Sequence, residues 1–266
     1  MNKEEFQEFI WEQGRVLYRT MPWREDTDPY YILVSEIMLQ QTQVDRVLPK
    51  FEEFIATFPD IIALAKAPLS EVLKLWSGLG YNRRAKFLHE AAKVVVHDFK
   101  GEIPSTQPEL ITLPGVGVNT AGAIQAYAFN EPVVYIETNI RTVYFHHFFD
   151  HADTVSDAEI LTLAADMLDT EHPREWYWAL MDYGSFLKRS GVRLNAKSSH
   201  YVKQSALAGS VRETRGAILK AVSKDSPTQA ELRKVVVDDE RFLPALQALI
   251  TEGFIVERKG RLHLSP

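Results

Sequence analysis

The chain has 266 residues, 45% apolar and 25% charged, as expected of a soluble globular protein with one large or two smaller domains. Its longest apolar runs fall short of the roughly 18 to 20 residues a membrane span needs, and neither end carries a leader pattern. The expectation is a cytoplasmic protein without disulfides, thiolate nucleophiles, Cys-ligated zinc or iron–sulfur clusters, since there is no cysteine; the net charge of −6 weighs mildly against a nucleic-acid partner.

That average hides an uneven distribution. Between Ser185 and Lys220 eight basic residues (Lys188, Arg189, Arg193, Lys197, Lys203, Arg212, Arg215, Lys220) stand against one acid, Glu213. A basic stripe on an acidic body fits a DNA binder with one working face, and fits a solvated linker equally well.

In chain order the body reads as helices. Phe6, Ile10, Val16 and Leu17 give a first amphipathic segment. A second is predicted to begin after Asp28-Pro29, to carry Ile32, Ser35, Glu36, Leu39, Gln40 and Gln43, and to stop near Pro49. Further helices are predicted over 51–57, 60–66, 69–77, 83–98, 107–112, 118–129, 138–149, 156–169 and 174–187, with Pro and Gly between many of them. No stretch of this region alternates with period 2, so it is all-α. Residues 188–210 are basic and Ser-rich without an apolar period. Beyond them, helices are predicted over Arg215–Val222, Gln229–Val237 and Arg241–Glu252, followed by two alternating runs around Lys259-Gly260, a hairpin signal. Three helices and a hairpin make a winged-helix-like module, which contacts DNA or protein or simply caps the core.

The sharpest motif is Leu113-Pro114-Gly115-Val116-Gly117 followed by Asn119-Thr120-Ala121-Gly122. Two glycines around one apolar residue make a tight turn whose backbone can approach a phosphate, and the N–H groups opening the next helix point at it. This pattern fits a helix-hairpin-helix anchor, which binds phosphates without reading sequence; the bare Leu-Pro-Gly-x-Gly also fits an ordinary turn.

Upstream lie Pro22-Trp23-Arg24, Asp28-Pro29-Tyr30, the run Ser35-Glu36-Ile37-Met38-Leu39-Gln40-Gln41-Thr42-Gln43-Val44 and Gly78-Leu79-Gly80-Tyr81. With these the chain resembles the endonuclease III superfamily of DNA glycosylases, most of all its adenine-DNA glycosylase (MutY) branch, from about Pro22 to Val143 and more loosely to Gly184. The resemblance implies a mainly α fold with a two-subdomain helix-hairpin-helix core (1–187), followed by a basic linker (188–210) where relatives hold an iron–sulfur cluster; the winged-helix-like α+β module (211–266) stands in place of the family's larger C-terminal domain. Breaking an N-glycosidic bond needs an acid for the leaving base and an anion for the oxocarbenium-like sugar. By resemblance Glu36 is the acid and Glu137 the anion, although the family carries Asp at the second position. Bifunctional relatives hold a Schiff-base Lys where this chain has Asn119. A monofunctional enzyme is therefore expected, one that leaves the strand uncut, with Asn119 orienting water or sugar. Gln40, Gln41 and Tyr81 match residues that enter the duplex, and Leu113, Gly115, Val116, Gly117 and Thr120 match the backbone anchor, with a sodium or potassium ion held by its carbonyls. Trp23 and Arg24 match the lip of the base pocket. Trp178 stands where the family has a Gln or Glu that bonds the adenine edge, and an indole cannot copy a carboxamide.

The expected partner is double-stranded DNA containing a mismatched or damaged base, bound by a monomer, with adenine opposite 8-oxoguanine or guanine as the favoured target. Two alternatives remain: a glycosylase for thymine, uracil or hypoxanthine, and a non-catalytic DNA-binding scaffold.

Overall fold

A short polar cap sets the start of the first helix. Asn2 accepts the Glu5 N–H (2.9 Å) while the Glu5 carboxylate takes the Asn2 N–H (3.0 Å), so α1 (Lys3–Leu17) opens on a capping box. The computed structural model describes residues 1–149, 151–152, 154–194, 196, 207–236 and 239–266. After α1 come α2 (Pro22–Glu25), α3 (Pro29–Leu39), α4 (Val44–Thr57), α5 (Ile61–Lys66), α6 (Leu69–Trp76) and α7 (Arg83–Asp98). The chain continues through α8 (Gln107–Leu110), α9 (Val118–Phe129), α10 (Thr138–Phe148), α11 (Asp157–Met167) and α12 (Pro173–Arg189). It closes with α13 (Val211–Lys224), α14 (Gln229–Val235), α15 (Phe242–Thr251), β1 (Ile255–Arg258) and β2 (Arg261–Leu264). The mainly helical fold with a small C-terminal hairpin is as expected; Val237, Lys197 and Lys203 lie outside the described residues.

The chain divides into two compact units, Met1–Glu36 with Ile103–Lys203, and Ile37–Glu102 with Gln204–Pro266. The first is held by α12 packing on α1, α9 and α10. Its core is aromatic: the Phe6 ring meets Tyr144 at 5.6 Å and Trp176 at 6.0 Å between centroids. Phe6, Tyr144 and Trp176 are essentially inaccessible to solvent, each worth about 1.5–3 kcal/mol or more of burial.

In the second unit α4, α5 and α6 bury Val47, Phe51, Phe54, Leu64, Val72 and Trp76. One correction arises here. The single helix predicted from Pro29 to near Pro49 is two helices, because Gln41 turns to a left-handed φ of +59° and α4 then runs through Pro49. A proline inside a helix costs about 3 kcal/mol. Burying Val47, Phe51 and Phe54 on one stripe of α4 returns more than that. The C-terminal part of this unit packs α13 on α14, α15 and β2. Its strands pair antiparallel, Ile255 opposite Leu264 and Arg258 opposite Arg261. Lys259 (φ +53°) and Gly260 (φ +73°) form the two-residue turn the sequence marks; both left-handed values match a primed turn, which suits strand twist.

Candidate active site

Glu36 is the one acid in α3, a helix whose neighbouring residues Ile32, Leu33, Val34, Ile37 and Met38 are all buried. A helix apolar on every side lies inside the protein, and it carries Glu36 in with it. Burial first, and then the charge of Glu137, push the Glu36 carboxyl up to about 8 against the pull of Arg24. At pH 7 such a group is about nine-tenths protonated, the state a general acid needs.

Glu137 sits at the start of α10 as its N-cap, and its Oε1 accepts the N–H groups of Asn139 (2.5 Å) and Ile140 (3.1 Å). Burial raises its pKa, while those N–H groups and the Lys188 ammonium work the other way. Lys188 is itself placed by a 2.9 Å bond to Asn139 Oδ1. Of the two acids, Glu137 has the stronger support for a negative charge, from the two N–H groups and the Lys188 ammonium. Helix packing fixes this cap. A Cβ on Gly184 of α12 would lie 2.7 Å from the Asn139 carbonyl carbon, and one on Gly122 of α9 would lie 2.7 Å from Tyr135 Cβ.

Aromatic and guanidinium groups surround the acids. Tyr135 donates to Tyr127 Oη at 2.9 Å, both phenols kept neutral by burial with Glu36 adding to the effect. The Trp178 ring stacks on Tyr127 (6.4 Å, 21°) and meets Tyr18 edge-on. Arg24 lies 5.4 Å from both the Tyr18 and Trp178 rings. Asp182, 1% exposed, chelates the Arg24 guanidinium at 2.7 and 3.1 Å and takes a 2.6 Å bond from Arg19. Arg24 and Trp23 are both buried, so Arg24 acts here as a fixed charge facing Glu36. The structure thus brings Glu36, Glu137, Arg24 and Trp178 together.

The 113–117 turn belongs to the same unit. Leu113 and Val116 are buried anchors, Val116 N–H closes the turn on Leu113 C=O (3.1 Å), and Gly115 takes φ +83°. Gly117 caps α9 without a side chain. Asn119 is exposed on that first turn and Thr120 half-buried.

Gln40, Gln41 and Tyr81 fall in the other unit, around Arg84. Its guanidinium donates to the carbonyls of Ile37 (3.0 Å), Met38 (2.8 Å) and Gln40 (2.5 Å), and to Thr42 Oγ1 (2.9 Å), Leu79 O (3.2 Å) and Gly80 O (3.1 Å). One buried cation, its pKa lowered by burial to about 10, therefore ties the end of α3 to the 77–82 turn. Tyr81 takes φ +47°, a strained value for a bulky residue, and its ring lies 5.5 Å from Arg84 and 4.9 Å from Arg212.

Reading the sequence missed Tyr127, Tyr135, Asp182 and Arg84, and gave Lys188 only a place in the basic stripe. Only Arg84 left a signal: α7 opens on Arg83-Arg84 with no acid in its first turn, against the helix dipole, which marks those arginines for another task.

The family described as HhH-GPD superfamily base excision DNA repair protein matches residues 34–164. An adenine DNA glycosylase of Mycolicibacterium smegmatis is 35% identical over 93% of this chain and 92% of its own. The chain belongs to this superfamily, in its adenine DNA glycosylase branch. A second adenine DNA glycosylase, of Buchnera aphidicola subsp. Baizongia pistaciae, is 36% identical over 64% of this chain; the match spans 48% of that protein, about half its length. Among solved structures of the superfamily's fold, a thermostable thymine-DNA glycosylase aligns with TM-score 0.61 and 27% identity, over 69% of this chain and 86% of its own. Among the described residues no helix is long and apolar enough to cross a membrane, and no group of three or more His or acidic side chains could hold a metal ion.

Proposed function

We propose that the protein is a monofunctional DNA glycosylase of base excision repair that hydrolyses the bond between deoxyribose and a flipped, mispaired adenine. The carboxyl of Glu36, held protonated near neutral pH, carries this reading. In the proposed reaction Glu36 gives its proton to a ring nitrogen of the departing purine while the C–N bond breaks, and the anionic Glu137 stabilises the sugar cation. Water then adds to the anomeric carbon and gives a proton back to the Glu36 carboxylate, leaving an abasic site and the acid restored. Asn119 cannot form a Schiff base, which supports hydrolysis without strand cleavage. The 113–117 turn and the opening N–H groups of α9 would take a phosphate. The carbonyls of that turn could hold a sodium or potassium ion through lone pairs left by the Val116 bond. The enzyme would act as a monomer on mismatched double-stranded DNA in the cytoplasm.

Trp178 favours a second reading. Its indole, stacked on Tyr127, offers a planar wall and one donor in place of a carboxamide, a combination open to thymine in a mismatch. The thymine-DNA glycosylase among the structural relatives supports it. Single-turnover base release on duplexes carrying adenine opposite 8-oxoguanine, guanine or cytosine, and thymine, uracil or hypoxanthine opposite guanine or thymine, tests both. Adenine release that disappears in Glu36→Gln with DNA binding retained is the expected result. Release of thymine alone selects the second reading, and no release from any duplex removes both.

A further inference from the structure

We propose that helix α13 and the 77–82 turn together form a binding site for an unstacked nucleotide of bound DNA. This rests on the reading of the protein as a DNA glycosylase. The site is a cavity of about 480 Å³ within the second unit, in the size range of small-ligand sites (~300–1,000 Å³). Gln41, Arg46 and the Ser77–Asn82 loop line it from one side and Arg212, Gly216 and Lys220 of α13 from the other.

Three observations give the cavity its ligand chemistry. The first is charge: Arg46, Arg212 and Lys220 face it. Its one lining carboxylate, Glu213, is already engaged by the Gly209 N–H (2.7 Å) and by Arg241 (3.9 Å). The second is flat surface, since the Tyr81 ring lies 4.9 Å from the Arg212 guanidinium, which also donates to its hydroxyl at 2.6 Å. An aromatic ring beside a guanidinium plane is a stacking surface for any base.

The third is Gly216. It lies inside α13, where glycine costs helix stability relative to alanine, yet a Cβ built on it meets no atom within 4 Å. Packing therefore does not require a glycine there. Arg212, Gly216, Leu219, Lys220 and Ser223 recur at helical spacing on the cavity face, and the bare backbone at 216 lets a planar group approach closely.

The test measures DNA binding on a Glu36→Gln background, so its readout does not depend on turnover. Duplexes carry 2-aminopurine at successive positions in either strand, which also shows which strand supplies the nucleotide. The expected result is a change in emission at one position in one strand. Gly216→Leu, which fills the cavity without altering charge, should remove that change and weaken binding at least tenfold. Gly216→Ala should melt about 2–4 °C higher and still bind several-fold more weakly. Lys220→Ala, at an exposed position, should reduce the slope of log affinity against log salt by about one. Folded Gly216 variants that match the parent within twofold in affinity and emission would overturn the proposal. Base release by the wild-type protein tests the glycosylase reading separately.

Discussion

A carboxyl that keeps its proton near neutral pH leaves a signature in two measurements. Base release should fall as pH rises through about 8, where Glu36 ionises, and fall again in acid as Glu137 takes up a proton. Stability moves in the same sense. A carboxyl whose folded pKa is raised from 4.5 to about 8 contributes stability fully below pH 4.5 and loses it as pH climbs to about 8. The unfolding free energy of Glu36→Gln, measured by chemical denaturation, should therefore gain on the wild type across that window, by on the order of 1 kcal/mol per pH unit, and stay level outside it. Glu137 has two tasks, which substitution can separate. Glu137→Asn keeps a capping oxygen and should melt near the wild type while base release falls by 100-fold or more. Glu137→Ala should lose the same activity and a further ~1 kcal/mol with the cap. Equal melting temperatures for the two variants would remove the capping role.

At the scale of elements, the approach of α12 to α10 places the cap. Gly184→Ala would drive a methyl group into the Asn139 carbonyl, and should cost about 2 kcal/mol or more in chemical denaturation along with a loss of base release. An unchanged midpoint would mean that α12 can shift without disturbing Glu137. These same elements show how far sequence reading reaches. Helices 83–98 and 118–129 are read to the residue because their apolar period and flanking Pro, Gly or Asn agree. The break at Gln40–Gln43 is not legible: its cause is Arg84, some forty residues away, which takes the carbonyls that would have continued α3. Glu36 and Glu137 are marked as site candidates by the motifs that carry the resemblance. Tyr127 and Asp182 are not, because each acts through neighbours distant in sequence, and a lone Tyr or Asp in a helix carries no local mark of a partner.

The whole molecule adds a link between distant parts of the chain. Within the second unit the Glu252 carboxylate at the end of α15 is shared by Arg83 of α7 (2.7 and 3.0 Å) and Arg215 of α13 (2.6 and 2.9 Å), and Lys86 donates to the Glu252 carbonyl. The two guanidiniums hold the Glu252 carboxyl down to about 2, with Arg83 the stronger influence. A depressed carboxyl stabilises the fold above pH 4.5 and loses that contribution as pH falls toward 2. Glu252→Gln should therefore lower stability by ~1–3 kcal/mol at pH 7, with the gap to the wild type narrowing in acid. A gap that does not change with pH would assign the loss to packing.

Each unit is also assembled from two separate stretches of chain, Met1–Glu36 waiting for Ile103–Lys203 in the first. On a ribosome adding about 5–20 residues per second, Glu36 emerges roughly 5 to 20 s before Glu137, and α12, which α1 and α10 both pack against, emerges later still. Until then Glu36 is an ordinary, solvated, ionised side chain. On the proposed reaction, the nascent protein would have no protonated Glu36 to offer DNA until α12 has left the ribosome and α1 can dock on it.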